Sequence, residues 1–165
     1  MEVEDIMKAR IDLMHVNPGI INAMLGLEKQ VSRAGLDSGL LDLVRMRASQ
    51  INGCAYCLDM HSKDARAAGE TEQRLYGLSA WREAPYYSPR ERAALEWTDA
   101  LTLVAETHVP DNAYERVREQ FSENELAHLS LAIVAINGWN RLNVAARTVA
   151  GDYVPGSIGK VHATS

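Results

Sequence analysis

Apolar residues recur at helical spacing through almost the whole chain, with Gly or Pro between the periodic segments. No stretch of useful length alternates as a half-buried strand must, so the pattern predicts an all-α fold. Helix starts are written most plainly at Ser88-Pro89-Arg90-Glu91 and Ser122-Glu123-Asn124-Glu125. In each, a serine caps the helix and a glutamate three residues on completes a capping box, while Pro89 sits where the first turn needs no N–H. The first box opens a helix expected to bury Ala94, Leu95, Trp97, Leu101 and Val104. The second launches the most apolar stretch, Leu126 to Val149, which must be buried deeply or shared with another subunit.

Upstream, residues 3 to 15 set Val3, Ile6, Met7, Ile11 and Met14 on one side, and Ile20 to Ala34 is built on Ile21, Met24, Leu25 and Val31. A third helix runs from Ser38 through Leu40, Leu41, Leu43, Val44 and Met46 to a stop at Asn52-Gly53, a pair suited to a left-handed helix end. Short helices are expected over 70–81 and from Pro110-Asp111 to about Phe121. The tail, 151–165, holds Gly, Pro and Ser and is expected to fray. With 165 residues the chain fits a single folding unit over 1–165, its motif core at about 38–105.

A net charge of −5, with arginines dispersed among acids, leaves no field for a phosphate backbone, so no nucleic acid partner is expected. The start, Met1-Glu2-Val3-Glu4-Asp5, is acidic where a secretory signal is basic, and no apolar run approaches a membrane span. A cytoplasmic protein without membrane contact is the expectation. In that reducing compartment a close cysteine pair points to catalysis or metal binding rather than to a structural staple.

The chain has two cysteines, Cys54 and Cys57, with His61 one turn beyond. Because Asn52-Gly53 ends one helix just before them, both sulfurs fall in the first turn of the next, where unpaired N–H groups and the positive dipole end favour a thiolate. Steps of three and seven residues from Cys54 reach Cys57 and His61, so the three side chains share a face and the imidazole can take a thiol proton. Cβ atoms three residues apart lie about 5–6 Å from each other in a regular helix, against roughly 3.5–4.5 Å in a disulfide. A bridge there needs local adjustment and should be readily reduced.

Other readings compete. Two cysteines can be buried apolar side chains on a core helix. Cys54, Cys57 and His61 can also be three metal ligands awaiting a fourth, such as Asp42, although no second C-x-x-C or H-x-x-x-H accompanies them. Asp42 taken alone pairs with Arg45, and Tyr56 reads as a pocket wall. His15, His108 and His162 sit near helix ends or in the tail, where capping and solvation account for them, and His128 reads as a hydrogen-bonded core or interface histidine. Trp97 and Trp139 read as core or interface anchors. Asn137, Asn140, Arg141 and Asn143 must find partners within an apolar helix, and subunit contacts are favoured over catalysis.

The run Leu41 to His61, continuing through Ala65-Arg66-Ala67-Ala68-Gly69, resembles the AhpD-like alkylhydroperoxidase branch of the carboxymuconolactone decarboxylase superfamily. Looser likeness extends through Ser88 to Leu95 and Asn137 to Asn143. The resemblance implies that Cys57 attacks a peroxide oxygen and becomes a sulfenic acid, that Cys54 resolves it, and that His61 with Asp42 relays protons. It also implies an external dithiol reductant such as a lipoylated or thioredoxin-like protein, no metal or organic cofactor, and assembly as a homo-oligomer, trimer or hexamer. Two positions depart from the pattern. Asp42 stands where a glutamate is usual, twelve residues before the first cysteine, and Tyr56 stands where the best-studied hydroperoxidases have histidine. The expected activity is thiol-dependent reduction of alkyl or hydrogen peroxides. The rivals are a non-enzymatic redox sensor that changes assembly state, and a lactone decarboxylase of the parent superfamily, against which the C-x-x-C pair argues.

Overall fold

The computed structural model describes residues 8–157, which are helical and contain no strand. In chain order the helices are α1 Leu13–Val16, α2 Pro18–Ser32, α3 Ser38–Asn52, α4 Ala55–Ala67 and α5 Glu72–Gly77 with a 3-10 turn Leu78–Ala80. They continue as α6 Pro89–Thr102, α7 Val104–Thr107, α8 Asp111–Arg118 and α9 Glu123–Ala146. Both capping boxes form as read: Ser88 and Ser122 accept from the N–H groups of Glu91 and Glu125, whose carboxylates reach back to the serine N–H.

Helix α3 is the axis of the fold, packed against α4, α6 and α9. Its apolar residues fall on two sides, so it feeds two clusters. Leu40 and Val44 join Trp97, Phe121, Leu129 and Ile133 between α6, α8 and α9. Leu43 and Met46 join Ala65, Leu75, Leu78 and Leu95 on the other side. Asp99 braces α3 to α6 and the 3-10 turn: its carboxylate accepts from Arg47 Nε at 2.6 Å, Arg82 at 2.6 Å and the Trp81 indole at 3.2 Å. The Met24 side chain of α2 lies over Gly138 of α9, where a Cβ would sit 2.9 Å from Met24 Cε and oblige that flexible side chain to shift.

Three expectations are corrected. The first helix is short: among the described residues it begins only at Leu13, because the Asp12 carboxylate takes the Met14 and His15 N–H groups and caps it there. The part of that expected helix before residue 8 lies outside the described residues. Val104 is 49 % exposed, since α6 ends at Thr102 and Leu103 turns the chain away before the spacing can carry Val104 inward. The tail does not fray at its start: Lys63 donates to the carbonyls of Gly151 at 2.7 Å and Tyr153 at 3.0 Å, Gly151 N–H donates to Asp59 at 3.1 Å, and the Tyr153 hydroxyl donates to Asp64 at 2.8 Å. This strap lies along α4. Positions 158–165 lie outside the described residues. No helix among those described is long and apolar enough to cross a membrane.

Candidate active site

Gly53 closes α3 with a left-handed φ of 65°, a conformation that costs a side-chain-bearing residue about 1–2 kcal/mol. The turn hands the chain directly to Cys54, whose N–H donates to Ser49 O at 3.1 Å. Cys54 is not in the helix but caps it: with extended dihedrals, φ −85° and ψ 97°, its sulfur accepts from the Cys57 N–H at 3.4 Å. A cysteine thus fills the place that Ser, Thr, Asp or Asn usually takes. The two sulfurs are 2.7 Å apart and both are free thiols.

The pair is interior, Cys54 at 1 % and Cys57 at 0 % exposure. Ala48 and Ile136, with Tyr56 and Trp139, supply the hydrocarbon side. The other side is a ladder of amides. Asn143 Nδ2 lies 3.7 Å from Cys57 Sγ while donating to Trp139 O at 2.9 Å. Asn140 donates to Ser49 Oγ at 3.0 Å and accepts from Asn52 at 2.9 Å, Asn52 also donates to Asn137 at 3.0 Å, and Asn137 donates to Thr102 at 3.1 Å. A cavity of about 310 Å³ lined by Asn52, Asn140, Arg141, Val144 and Ala145 reaches this ladder from outside.

These surroundings treat the two thiols differently. Cys54 is held down to about 7, chiefly by its side-chain hydrogen bond with Cys57; burial opposes, and the Cys57 N–H, Asn140 and the Tyr56 N–H assist. Cys57 is pushed up, first by its hydrogen bond with Cys54 and then by burial, with Asn140 and Asn143 pulling the other way. Tyr56, half-buried, is raised by desolvation and then by the charge of Cys57.

His61 does not titrate where the sequence led us to expect. Burial first, and the Arg45 charge second, hold it down to about 3, so the ring is neutral at working pH. Asp42 pairs with Arg45 at 3.7 Å, and Arg45 pairs with Glu28 at 3.0 Å. Burial raises Asp42 above the usual carboxylate range against the pull of Arg45. No direct hydrogen bond joins His61 to Asp42 or to either sulfur among the described residues. The structure therefore brings Cys54 and Cys57 together, and pairs Asp42 with Arg45 rather than with the imidazole. Among the described residues no group of three or more His, Cys, Asp or Glu could hold a metal ion.

Asn140, expected at a subunit contact, is fully buried and bonds Ser49 and Asn52 within the chain, while the partly buried Asn143 reaches Cys57. The legible signal was their spacing with Asn137, three residues apart each time on an otherwise apolar helix. Trp97 is a core anchor as read, donating to Ser130 at 2.9 Å, and Trp139 donates to Glu28 at 3.2 Å. His128 bonds its own helix at Asn124 O, 2.8 Å, and is not a core group. Replacing Asn143 by Ala removes a donor worth about 1 kcal/mol to a Cys57 anion. The expected result is roughly fivefold slower alkylation of Cys57 at fixed pH, measured by mass spectrometry, with the far-ultraviolet circular dichroism unchanged.

The chain matches the model of the carboxymuconolactone decarboxylase family over residues 18–100. It is 43% identical over 139 residues to the uncharacterized protein YdfG of Bacillus subtilis (strain 168), covering 84% of this chain and 95% of that one. A crystal structure from Agrobacterium tumefaciens, of a protein of unknown function proposed to be the antioxidant defence protein AhpD, superimposes with a TM-score of 0.85 at 43% identity, over 88% of this chain and 100% of that one. An uncharacterized peroxidase-related protein of Ralstonia eutropha JMP134, with an alkylhydroperoxidase AhpD core, shares the fold at a TM-score of 0.74 and 19% identity, over 85% and 74% of the two chains.

Proposed function

This chain belongs to the carboxymuconolactone decarboxylase family, in its AhpD-like branch, and on that footing we propose that it is a thiol-dependent peroxidase of alkyl or hydrogen peroxides. The observation that carries the reading is a pair of free thiols 2.7 Å apart at the head of a helix, one of them poised to ionise near neutral pH. A thiolate is the attacking form, and a second sulfur in contact can close a disulfide without rearranging the chain.

In this reading the Cys57 thiolate attacks the terminal peroxide oxygen: an S–O bond forms, the O–O bond breaks, and the alkoxide leaves as alcohol after taking a proton. Cys54 then attacks the sulfenic sulfur, the S–S bond forms and hydroxide departs to be protonated. An external dithiol, lipoylated or thioredoxin-like, takes up the disulfide's oxidising equivalents. A proton relay through His61, neutral at working pH, and Asp42, which pairs with Arg45, would run through water, since no hydrogen bond joins the ring to either sulfur among the described residues.

Two measurements test this. Cys54→Ser lacks a resolving thiol, so exposure to peroxide should leave a sulfenic acid on Cys57 that dimedone captures, seen by peptide mass spectrometry. Unlabelled Cys57 with peroxide unconsumed would refute the assignment. The rate of peroxide loss should also rise with pH through about 7 and level above it, because below that value Cys54 and Cys57 are both protonated. A His61→Gln variant should keep that rising limb, since an imidazole held down to about 3 has no proton to lose there.

A further inference from the structure

We propose that the peroxide this chain acts on carries a carboxylate, and that Arg141 selects it. The anionic end docks on the Arg141 guanidinium at the rim of the cavity of about 310 Å³, with the peroxide end turned toward the amides of Asn52 and Asn140. This substrate class rests on the peroxidase reading.

The cavity ends at the thiol surroundings. Asn140 lines it and also lies within reach of both sulfurs, and Asn52, which lines it too, donates to Asn140 at 2.9 Å. Asn140 is fully buried and Arg141 is exposed, so the two mark its inner and outer ends. Val144 and Ala145 supply an apolar wall, and no acidic residue lines it. A larger cavity of about 480 Å³ between α3, α4 and α5 shares no residue with the thiol surroundings. Its cations are also spent, Lys63 on Asp59 at 2.9 Å and Arg66 beside Glu72 at 3.8 Å.

Charge marks the smaller cavity for an anion. The chain is acidic, and most of its arginines, Arg45, Arg47, Arg74 and Arg90 among them, are held by carboxylates. Arg141 is held differently. Its Nη1 donates to Asn137 O at 3.0 Å and to Asn137 Oδ1 at 2.9 Å, the same oxygen that takes the Asn52 amide, so the ladder fixes the guanidinium over the opening. No carboxylate among the described residues pairs with it, and Nε and Nη2 keep their N–H groups for a ligand. That edge of the guanidinium grips a carboxylate by two parallel bonds. Arg10 adds a second guanidinium nearby, its Nη1 3.5 Å from the carbonyl of Ala145 in the cavity wall. The carbonyls at the end of α9, which would repel an anion, are already taken: Asn143 O by the Thr148 N–H at 3.0 Å, Val144 O by the Arg147 N–H at 3.3 Å and Ala146 O by the Arg10 N–H at 2.8 Å.

A neutral alkyl hydroperoxide lacks this grip. The carboxylate takes no part in bond breaking, so the redox step is the one already described and Arg141 acts by binding alone. The volume is at the lower end for small-molecule sites and suits a short or single-ring body rather than a long acyl chain.

The test compares para-carboxycumene hydroperoxide with its methyl ester, alike in ring and peroxide and different in charge, with dithiol in excess. The wild-type protein should consume the acid with a kcat/KM about fivefold above that of the ester, as one charge-assisted contact at an exposed rim supplies. Arg141→Gln should bring that ratio to about 1, with the loss falling on the acid and in KM, and Arg141→Lys should keep part of the preference. Far-ultraviolet circular dichroism checks that both variants are folded. Equal rates on acid and ester in the wild type, or a preference that survives Arg141→Gln, would overturn the proposal and leave the peroxidase reading in place. Calorimetric binding of para-carboxycumyl alcohol, which carries no peroxide, separates the two. Binding that weakens in Arg141→Gln, with neither hydroperoxide consumed, would sink the peroxidase reading and leave the anion site standing.

Discussion

Cys57→Ser should abolish dithiol-driven peroxide loss, lowering the rate by at least about a thousandfold, because the group that bonds to oxygen is gone. A serine hydroxyl is smaller than a thiol, so it fits the fully buried position and can still donate toward Cys54 Sγ. The fold should therefore survive. What is lost is chemical: an alkanol does not ionise near neutral pH and cannot pass through a sulfenic acid to a disulfide. Cys54→Ser also stops turnover, but after one round and with the oxidised sulfur trapped on Cys57. The two variants thus fail differently, and peroxide loss at an undiminished rate in Cys57→Ser would remove it from the mechanism.

The largest expected loss of stability lies away from the thiols. Asp99→Ala takes the acceptor from Arg47, Arg82 and the Trp81 indole at once. Arg82 is 56 % exposed and its ion pair contributes little, being screened by water. Arg47, at 16 % exposure, and the indole N–H at a 4 % exposed tryptophan are left without their partner inside the fold. Breaking such a pair from one side costs about 3 kcal/mol or more, and for a chain of this size that lowers Tm by roughly 6–12 °C. Calorimetry of the reduced protein measures it. Asp99 bonds to Arg47, Trp81 and Arg82 and to none of Ser49, Asn52, Asn140 or Asn143, so peroxide consumption should persist at temperatures where the variant is folded. A Tm within about 2 °C of the parent would show that water replaces the carboxylate.

What was legible beforehand was local. Ser88 with Glu91, and Ser122 with Glu125, each act across a single turn, so their boxes could be read directly, as could the Asn52-Gly53 stop that makes Cys54 a helix cap. The register of Cys54 and Cys57 followed from helical geometry. What escaped depends on distant packing. Asn143 meets Cys57 across 86 positions, and the strap meets α4 across about as many. The low pKa of His61 comes from burial and from Arg45 on another helix, neither of which spacing reveals. Val104 fitted the period but not the chain path, which breaks at Leu103 and then passes through positive φ at His108 and Val109. Local rules place caps; only the assembled core decides which polar groups face the sulfurs.

A cycling pair and a one-shot sensor would share all of this geometry and differ in stoichiometry. The decisive measurement is the number of peroxide equivalents consumed per chain by the wild-type protein with dihydrolipoamide in large excess. Peroxidase chemistry at Cys54 and Cys57 predicts consumption that continues far beyond one equivalent, until dithiol or peroxide runs out. Consumption that halts at a single equivalent, with the pair oxidised and excess dithiol untouched, would contradict it.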